Sequence, residues 1–274
     1  MSKHFPHLLN ELYYKPLIVT QQRHAAMCRV LESRMAQDMP TPMPDPEDDD
    51  KEPIMPDWEI TGSTAVIPIH GVLVKHASDI PMSSCGCGCD MVSAMIDLAV
   101  DDDQVERILF DFRTPGGSVT GIPELAQKIA SIRGKQTLAF SDSECCSAGV
   151  WLASQCEHFL CAPSASIGSV GVWCAYLDIS RQMQNDGQNM QEISSGKFKT
   201  AGAWWKPLTT DERAMIQADC DKIFGQFKTA VNARRAVDDQ HLDGQIFDGE
   251  KAVEIGMCDG LVDDISELLG DSVN

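Results

Sequence analysis

Three short loops of this 274-residue chain carry the side chains best suited to chemistry, and the first to consider contains Ser147. Ser147 lies in residues 141–150, where a predicted strand gives way to a predicted apolar helix. A hydroxyl at a helix start lies near the positive end of the helix dipole, which stabilises a developing alkoxide, and the N–H of Ala148 is a candidate oxyanion donor. The alternative is that Ser147 caps the helix, and the residues alone favour the cap.

A second loop, residues 194–202, supplies a candidate base. Lys199 stands among an aromatic and small residues after a predicted strand. Desolvation penalises an ammonium, so a lysine with restricted access to water loses its proton more easily. Neutral lysine is a competent general base for a serine hydroxyl. Lys197 is the competing candidate, and two solvated surface lysines are the ordinary alternative.

The third loop, residues 113–119, contains the pair Gly116 and Gly117 directly after a predicted strand. Paired glycines let the backbone approach a ligand and aim N–H groups at it, so the loop is a candidate binding loop. The alternative interpretation, an ordinary turn, has about equal weight from this loop alone. No Gly-Lys-Ser/Thr follows, so the segment is not a phosphate loop.

Histidine and cysteine chemistry fit less well. His158 falls in a predicted strand as a core residue, His241 in a polar turn, and His70 beside a glycine in a structural position. Cys145 and Cys146 adjoin the serine, so a cysteine nucleophile stays open, although neither has an obvious partner histidine.

Cys85, Cys87 and Cys89 alternate with glycines. Structural zinc sites use wider spacing and a second cysteine pair, which this sequence lacks. We therefore interpret the segment as a thiol-bearing glycine loop and expect no metal and no other cofactor. The odd total of eleven cysteines favours free thiols in a reducing cytosol over a disulfide framework.

Strands that alternate with helices from Trp58 onward predict an α/β fold with much parallel pairing. Predicted strands cover two stretches within 64–75, then 107–112, 136–140, 158–161, 169–175 and 190–194. Predicted helices cover 90–100, 122–132, 147–155, 178–185 and about 210–236. The last helix begins with Thr209 and Glu212 at capping-box spacing. Each of the three loops then lies at a strand end, where α/β folds place binding groups.

The N-terminal part of the chain differs in composition. Residues 20–35 place apolar side chains at helical spacing, and residues 36–56 hold six of the fourteen prolines and seven acidic residues. We expect a helical N-terminal arm over 1–35, an acidic proline-rich linker over 36–56 and a globular domain over 57–270.

Charge and hydropathy exclude several partners. The chain has 22 basic and 41 acidic residues, a net charge of −19, which argues against nucleic-acid binding and against docking on anionic membranes. No apolar stretch is long enough for a membrane span, and the apolar run from Pro16 to Val19 is too short for a secretory signal. We expect a cytoplasmic protein.

The loops, taken in order, resemble the signal-peptide-peptidase A family, also called protease IV. The similar segments are 113–119 (its Ser-Pro-Gly-Gly loop), 145–150 (its nucleophile segment), 166–172 (its Thr-Gly-Ser-Ile-Gly-Val segment), 196–202 (its lysine loop) and 247–260 (its C-terminal signature). The similarity covers roughly residues 60–265, and five segments in register make it specific. Within the family, the chain most resembles the capsid-maturation proteases of tailed phages.

The resemblance implies a ClpP/crotonase-like spiral of β-β-α units and a serine endopeptidase that acts on extended or unfolded polypeptides. Ser147 matches the nucleophile and Lys199 the general base of a Ser-Lys dyad, and Ser169 matches a serine that orients the lysine. The backbone N–H groups of Gly116, Gly117 and Ala148 match the oxyanion hole. Where the family has smaller or different residues, this chain has Cys145, Cys146, Ala148 and Thr114.

The resemblance also implies partners. A single-core chain of this family needs a neighbour to complete the dyad, so we expect a cyclic homo-oligomer with shared active sites. Capsid or scaffold proteins are the expected partners, in a phage procapsid or the host cytoplasm. Two alternatives stay open: a catalytically silent capsid-assembly or scaffold protein, and a crotonase-like acyl-CoA enzyme.

Overall fold

The computed structural model describes residues 16–20, 59–79 and 86–269. A six-stranded sheet lies at the centre of this part of the chain. Its strands are β2 (Glu59–Thr61), β3 (Thr64–His70), β6 (Arg107–Arg113), β8 (Gln136–Ser141), β10 (His158–Cys161) and β13 (Gly260–Leu261). Their spatial order is β13-β10-β8-β6-β3-β2, and every neighbouring pair is parallel except β2 with β3.

Two smaller sheets are formed mostly by strands that follow the strands of the large sheet along the chain. The first, in the order β1-β7-β4-β5, contains β1 (Leu17–Val19), β4 (Val72–Val74), β5 (Gly86–Gly88) and β7 (Gly116–Ser118). The second, in the order β12-β11-β9, contains β9 (Glu144–Cys146), β11 (Ser166–Gly168) and β12 (Ile246–Phe247). Four strands of the large sheet, β3, β6, β8 and β10, each lead within a few residues into a small-sheet strand.

The helices of the described residues are α1 (Cys89–Asp101), α2 (Ile122–Ser131), α3 (Ala148–Ala153), α4 (Ser180–Asn185), α5 (Thr210–Asn232) and α6 (Gly249–Glu254). In α1 the buried side chains Val92, Met95, Ile96 and Ala99 recur at helical spacing, so one face packs on the core. α3 is buried along its whole length, because it is short and built only of small and apolar residues. A buried helix directly after the serine fixes the position of that residue.

The central strands β6 and β8 of the large sheet are buried on both faces, as strands of parallel sheets are. In β6, Ile108, Phe110 and Phe112 belong to the main core, whereas Leu109 packs in a second cluster with Phe140 and Leu268. Such near-continuous apolar strands explain why the sequence pattern predicts this sheet. The predicted α/β architecture with parallel pairing is confirmed.

Two predicted strands are wrong. Residues 190–194 form no strand, and residues 169–175 lie beyond β11, which ends at Gly168. The side chain of Ile193 is 99% exposed, so the apolar pattern at 190–194 reflects no core contact within one chain.

The expected helix at 20–35, beyond Thr20, and the expected linker lie outside the described residues. Within the expected arm, Leu17–Val19 is a buried β-strand hydrogen-bonded to the globular part, so the expectation of a helical, tethered arm is wrong there. Among the described residues, no helix is long and apolar enough to cross a membrane.

Candidate active site

Ser147 lies where β9 passes into α3, as the sequence predicts. Its N–H donates to the carbonyl oxygen of Gly168 at 2.7 Å, which joins the serine to the end of β11. Its backbone has φ 54° and ψ −114°, a conformation that costs a residue with a side chain about 1–3 kcal/mol. Only 1% of the residue is exposed. A strained strand-to-helix turn is the geometry by which nucleophile elbows present a serine.

The hydroxyl of Ser147 does not cap the helix. Its side chain makes no hydrogen bond to the first turn of α3. An N-cap serine accepts a hydrogen bond from the second or third N–H of its helix, so the capping interpretation that the residues alone favour is wrong. The hydroxyl is therefore available for another role.

Gly116 packs directly against the serine. Its φ is +99°, and a Cβ at this position would lie 2.8 Å from the Cβ of Ser147. Glycine alone allows this approach, because any side chain would collide there. The predicted Gly loop and the predicted nucleophile are thus neighbours.

The three predicted oxyanion donors are not equivalent. The N–H of Gly116 donates to Thr114 Oγ1 at 3.1 Å, and that hydroxyl donates to Gly71 O at 2.6 Å. Gly117, the second predicted donor, lies within the paired part of β7, opposite Ile18 of β1. Ala148 is the first residue of α3, so its N–H has no intrahelical partner, and no described residue accepts from it. Ala148 is therefore the donor best placed to bind an oxyanion.

Ser169 follows β11 at the same edge as Ser147. β9 and β11 run parallel with Cys146 opposite Gly168, so the two serines follow the ends of neighbouring strands. Ser169 also has a positive φ of 57°, and its N–H donates to Gln245 O at 2.5 Å. Its backbone is fixed, as a positioning role requires.

A cavity of about 550 Å³ opens beside Ser169. Two acidic residues, Asp221 and Asp243, and the aromatic residue Trp173 are among the residues that line it. Opposite charges attract, so this wall favours a cationic side chain. The cavity is large enough to admit a side chain from outside the described residues or from another molecule.

Lys199 lies on the surface of the chain. It sits in an exposed turn, where its N–H donates to Gly196 O at 3.1 Å. No hydrogen bond or ion pair of the described residues joins it to Ser147 or Ser169. Within one chain, contacts of the described residues join the two predicted serines and the glycines, and none of these contacts includes the predicted lysine.

The competing lysine is engaged elsewhere. Lys197 forms an ion pair with Asp211 at 2.5 Å and lies 5.2 Å from the centre of the Phe198 ring. It is exposed, as the ordinary surface interpretation expects. The whole stretch 184–199 is exposed and includes the apolar side chains of Ile193 and Phe198.

The thiols beside the serine are poor nucleophiles. Burial raises the pKa of Cys146 to about 12 and the pKa of Cys145 well above its usual value. Both therefore stay protonated near neutral pH, and the thiolate is the reactive form. Cys87 and Cys89 are also buried, and Cys85 lies outside the described residues.

The histidines do not build a triad with Ser147. His158 is exposed, so its prediction as a core residue is wrong. His70 binds the carboxylate of Asp111 at 2.8 Å, and His241 packs edge-on against Phe247 with ring centres 5.7 Å apart. Among the described residues, none of the three forms a hydrogen bond with the serine.

Sequence reasoning missed two contributors to the site. Thr114, noted there only as a departure from the family pattern, fixes the Gly loop by accepting from Gly116 N–H. Residues 16–20, noted only as too short for a signal, lie across that loop as β1. The run Leu17-Ile18-Val19 carries a β-strand composition, which is the signal that was present.

Comparison of the sequence with known proteins identifies a peptidase family. The model of Peptidase family S49 matches residues 130–269, a range that includes both serines and Lys199. Capsid assembly protease C of Escherichia phage lambda is 30% identical over 209 residues, which cover 75% of this chain and 48% of that protein.

Two further relatives are similar to this chain over nearly the same length of sequence. The head-tail preconnector protein GP5 of Enterobacteria phage P21 is 28% identical over 209 residues, 75% of this chain and 42% of that protein. Protease 4 of Haemophilus influenzae is 21% identical over 208 residues, 74% of this chain and 33% of that protein. The chain spans about half the length, or less, of these curated relatives.

Proposed function

Because the chain belongs to peptidase family S49, we propose that it is a serine endopeptidase with Ser147 as its nucleophile. One observation carries the proposal. A strained serine that does not cap its helix lies buried against a glycine loop, and the N–H of the next residue has no partner among the described residues. Backbone strain of this kind persists where it serves function.

The proposed reaction follows from these groups. The neutral amine of Lys199 takes the proton of Ser147 Oγ as that oxygen attacks a peptide carbonyl carbon. The N–H of Ala148 stabilises the oxyanion, and the lysine returns its proton to the leaving amine. Water then attacks the acyl-enzyme. The lysine takes a proton from the water and returns it to Ser147 Oγ as the acyl group leaves. Ser169 orients the lysine amine.

The lysine in this scheme comes from a neighbouring copy of the chain. Lys199 is exposed and has no described contact with the serine of its own chain, whereas two acidic residues, Asp221 and Asp243, are among those that line the cavity beside Ser169. Exposed apolar side chains near the lysine, Ile193 and Phe198, supply surface that a protomer interface would bury. A head-to-tail ring closes such contacts, so we propose a cyclic homo-oligomer.

Fold and substrate complete the proposal. The order of long strand, short strand and helix recurs in β6-β7-α2 and β8-β9-α3, which supports a ClpP/crotonase-like spiral. The substrate is an extended or unfolded polypeptide. One relative is named a capsid assembly protease, which supports a capsid or scaffold protein as substrate and a procapsid as location.

The test is turnover of an unfolded protein such as reduced casein. Ser147→Ala and Lys199→Ala should each lower the rate by several orders of magnitude, because each removes a reacting group. Lys197→Ala, two positions away and paired with Asp211, should retain the rate. A folded chain with no turnover would favour the silent assembly protein, and near-normal turnover in Lys199→Ala would reject the dyad.

A further inference from the structure

Residues 16–20 lie as an extended strand along the Gly loop. β1 pairs antiparallel with β7, with Ile18 opposite Gly117. The N–H of Thr20 donates to Pro115 O at 3.1 Å, which continues the pairing past the end of the strand. The partner strand is Gly-Gly-Ser, so its surface offers backbone rather than side chains.

The opposite edge of the same strand is paired as well. Leu17 and Trp173 exchange two backbone hydrogen bonds at 2.9 and 3.1 Å. The indole N–H of Trp173 also donates to Val19 O at 3.1 Å. Residues 16–20 therefore fill a cleft whose two walls are β7 and the backbone at Trp173.

This cleft passes the proposed nucleophile. A Cβ at Gly116 would lie 2.8 Å from Ser147 Cβ and would collide with Ile18 O, so both groups pack on the same glycine. The buried state of Ser147 fits a cleft that is already filled.

Backbone pairing on both edges, with apolar side chains in pockets between, is how proteins bind extended peptides. Leu17, Ile18 and Val19 are buried. At the strand's C-terminal end, Thr20 Oγ1 is buried with no hydrogen-bond partner among the described residues, which costs free energy. The segment thus resembles a bound ligand that is held well along its apolar residues and less well where it leaves.

We propose that residues 16–20 are an intramolecular substrate mimic. They occupy the cleft in which an extended, apolar, β-branched peptide binds, and another polypeptide enters only after they leave. The inhibition part of this proposal rests on the proposed function, whereas occupancy of the cleft does not.

The tether gives the mimic its advantage. About 40 residues separate Thr20 from β2 in the sequence, so the strand belongs to the same chain as the cleft and binds it intramolecularly, at an effective concentration that a separate peptide must match. A weakly binding strand therefore stays in the cleft, while a substrate that is concentrated locally can still replace it.

Ile18→Asp tests the proposal, because a charge in place of a fully buried side chain should expel the strand. The matched control is Ile60→Asp, at an exposed isoleucine in the edge strand β2. Binding of a fluorescent peptide with the sequence of residues 14–22 is measured by anisotropy in a Ser147→Ala background. We expect Ile18→Asp to bind it at least ~10-fold more tightly than the parent or the control. A peptide that itself carries Ile18→Asp should not bind.

The same substitution, with Ser147 intact, should raise the casein rate at least ~10-fold. A second form of the chain keeps the native strand and carries a site for a specific protease within 36–56. Cutting there should make the casein rate rise on dilution, and the 14–22 peptide should lower it again.

The outcomes separate the two proposals. Tighter peptide binding in chains without turnover upholds the mimic and rejects the peptidase. The strand is only structural if peptide affinity stays unchanged in Ile18→Asp chains that circular dichroism shows to be folded. The same conclusion follows if cutting the linker leaves peptide affinity unchanged. If Ile18→Asp does not fold, the cut chain alone decides by the same peptide measurement.

Discussion

The serine side and the lysine side of the proposed active site are held in different ways. Ser147 is buried, strained and joined through its N–H to a neighbouring strand. Lys199 lies in an exposed stretch without strands, near a side chain that is 99% exposed, Ile193. One side is built by the core of a single chain and the other is displayed on its surface.

Electrostatic contacts, rather than a core, organise the lysine side. Glu192 accepts hydrogen bonds from Thr200 at 2.7 Å and from Lys206 at 3.2 Å. Lys206 also approaches Glu212 at 3.4 Å, which joins the segment to the start of α5. The Lys206–Glu192 pair is partly exposed, and such pairs contribute little stability individually, so the segment can adapt to a partner at small cost. This contrast supports a site completed by a second chain.

Complementation gives the largest expected effect. Ser147→Ala and Lys199→Ala chains, each inactive, are mixed under conditions in which subunits exchange, and casein turnover is measured. If sites form between neighbours, random assembly gives both intact residues at about a quarter of the interfaces, so activity returns to roughly that fraction of the parent's. Mixing either variant with itself is the control.

If exchange is demonstrated with labelled subunits and the mixture stays inactive, the dyad lies within one chain. The lysine side would then have to fold inward to reach the serine. A fully active monomer in sedimentation would reject the ring in the same way.

The difference between the two sides also explains what the sequence predicts well. The buried strands β3, β6 and β8 are nearly continuous apolar runs, and Thr209 with Glu212 forms the predicted capping box. These features are local, so spacing and residue type suffice to find them.

Features that depend on distant pairing were missed. A serine before an apolar helix is compatible with a cap or with an elbow, and only φ and ψ, set by pairing of β9 with β11, separate them. β1 pairs with β7 across about 100 residues, so nothing local marks its register. At 190–194 the apolar pattern predicts a strand, but the described residues of one chain supply no partner strand for it.

Replacing a glycine on the serine side should separate activity from folding. At Gly116 both the positive φ and the contact with Ser147 forbid a Cβ. Gly116→Ala should lower turnover by about 100-fold or more, the range seen when an oxyanion contact is lost. It should also destabilise the chain by about 1–3 kcal/mol.

Gly134→Ala is the matched control for that variant. Gly134 also has a positive φ, of +78°, but a Cβ there meets nothing within 4 Å. It should therefore cost a similar backbone strain, about 1 kcal/mol, with turnover kept. Equal losses of activity in the two alanine variants would mean that the effect is instability alone, and the glycine loop would have no special relation to the serine.

The smallest expected effect is a pH-dependent loss of stability when the charge of Glu212, next to the lysine side, is removed. Hydrogen bonding from the N–H of Thr209 lowers the pKa of Glu212, whose side chain is buried beside Lys206. A lowered folded-state pKa stabilises the chain above the unfolded value, about 4.3, and this stabilisation is lost as the pH falls through the folded pKa. Glu212→Gln keeps the capping-box geometry and removes the charge. Its unfolding midpoint should be roughly 2 °C below the parent's at pH 7, with the gap closing below about pH 4. Glu59→Gln, at an exposed position of β2, should show no gap at either pH. A Glu212→Gln gap that persists unchanged into acid would show that its carboxylate charge does not anchor the lysine side to α5.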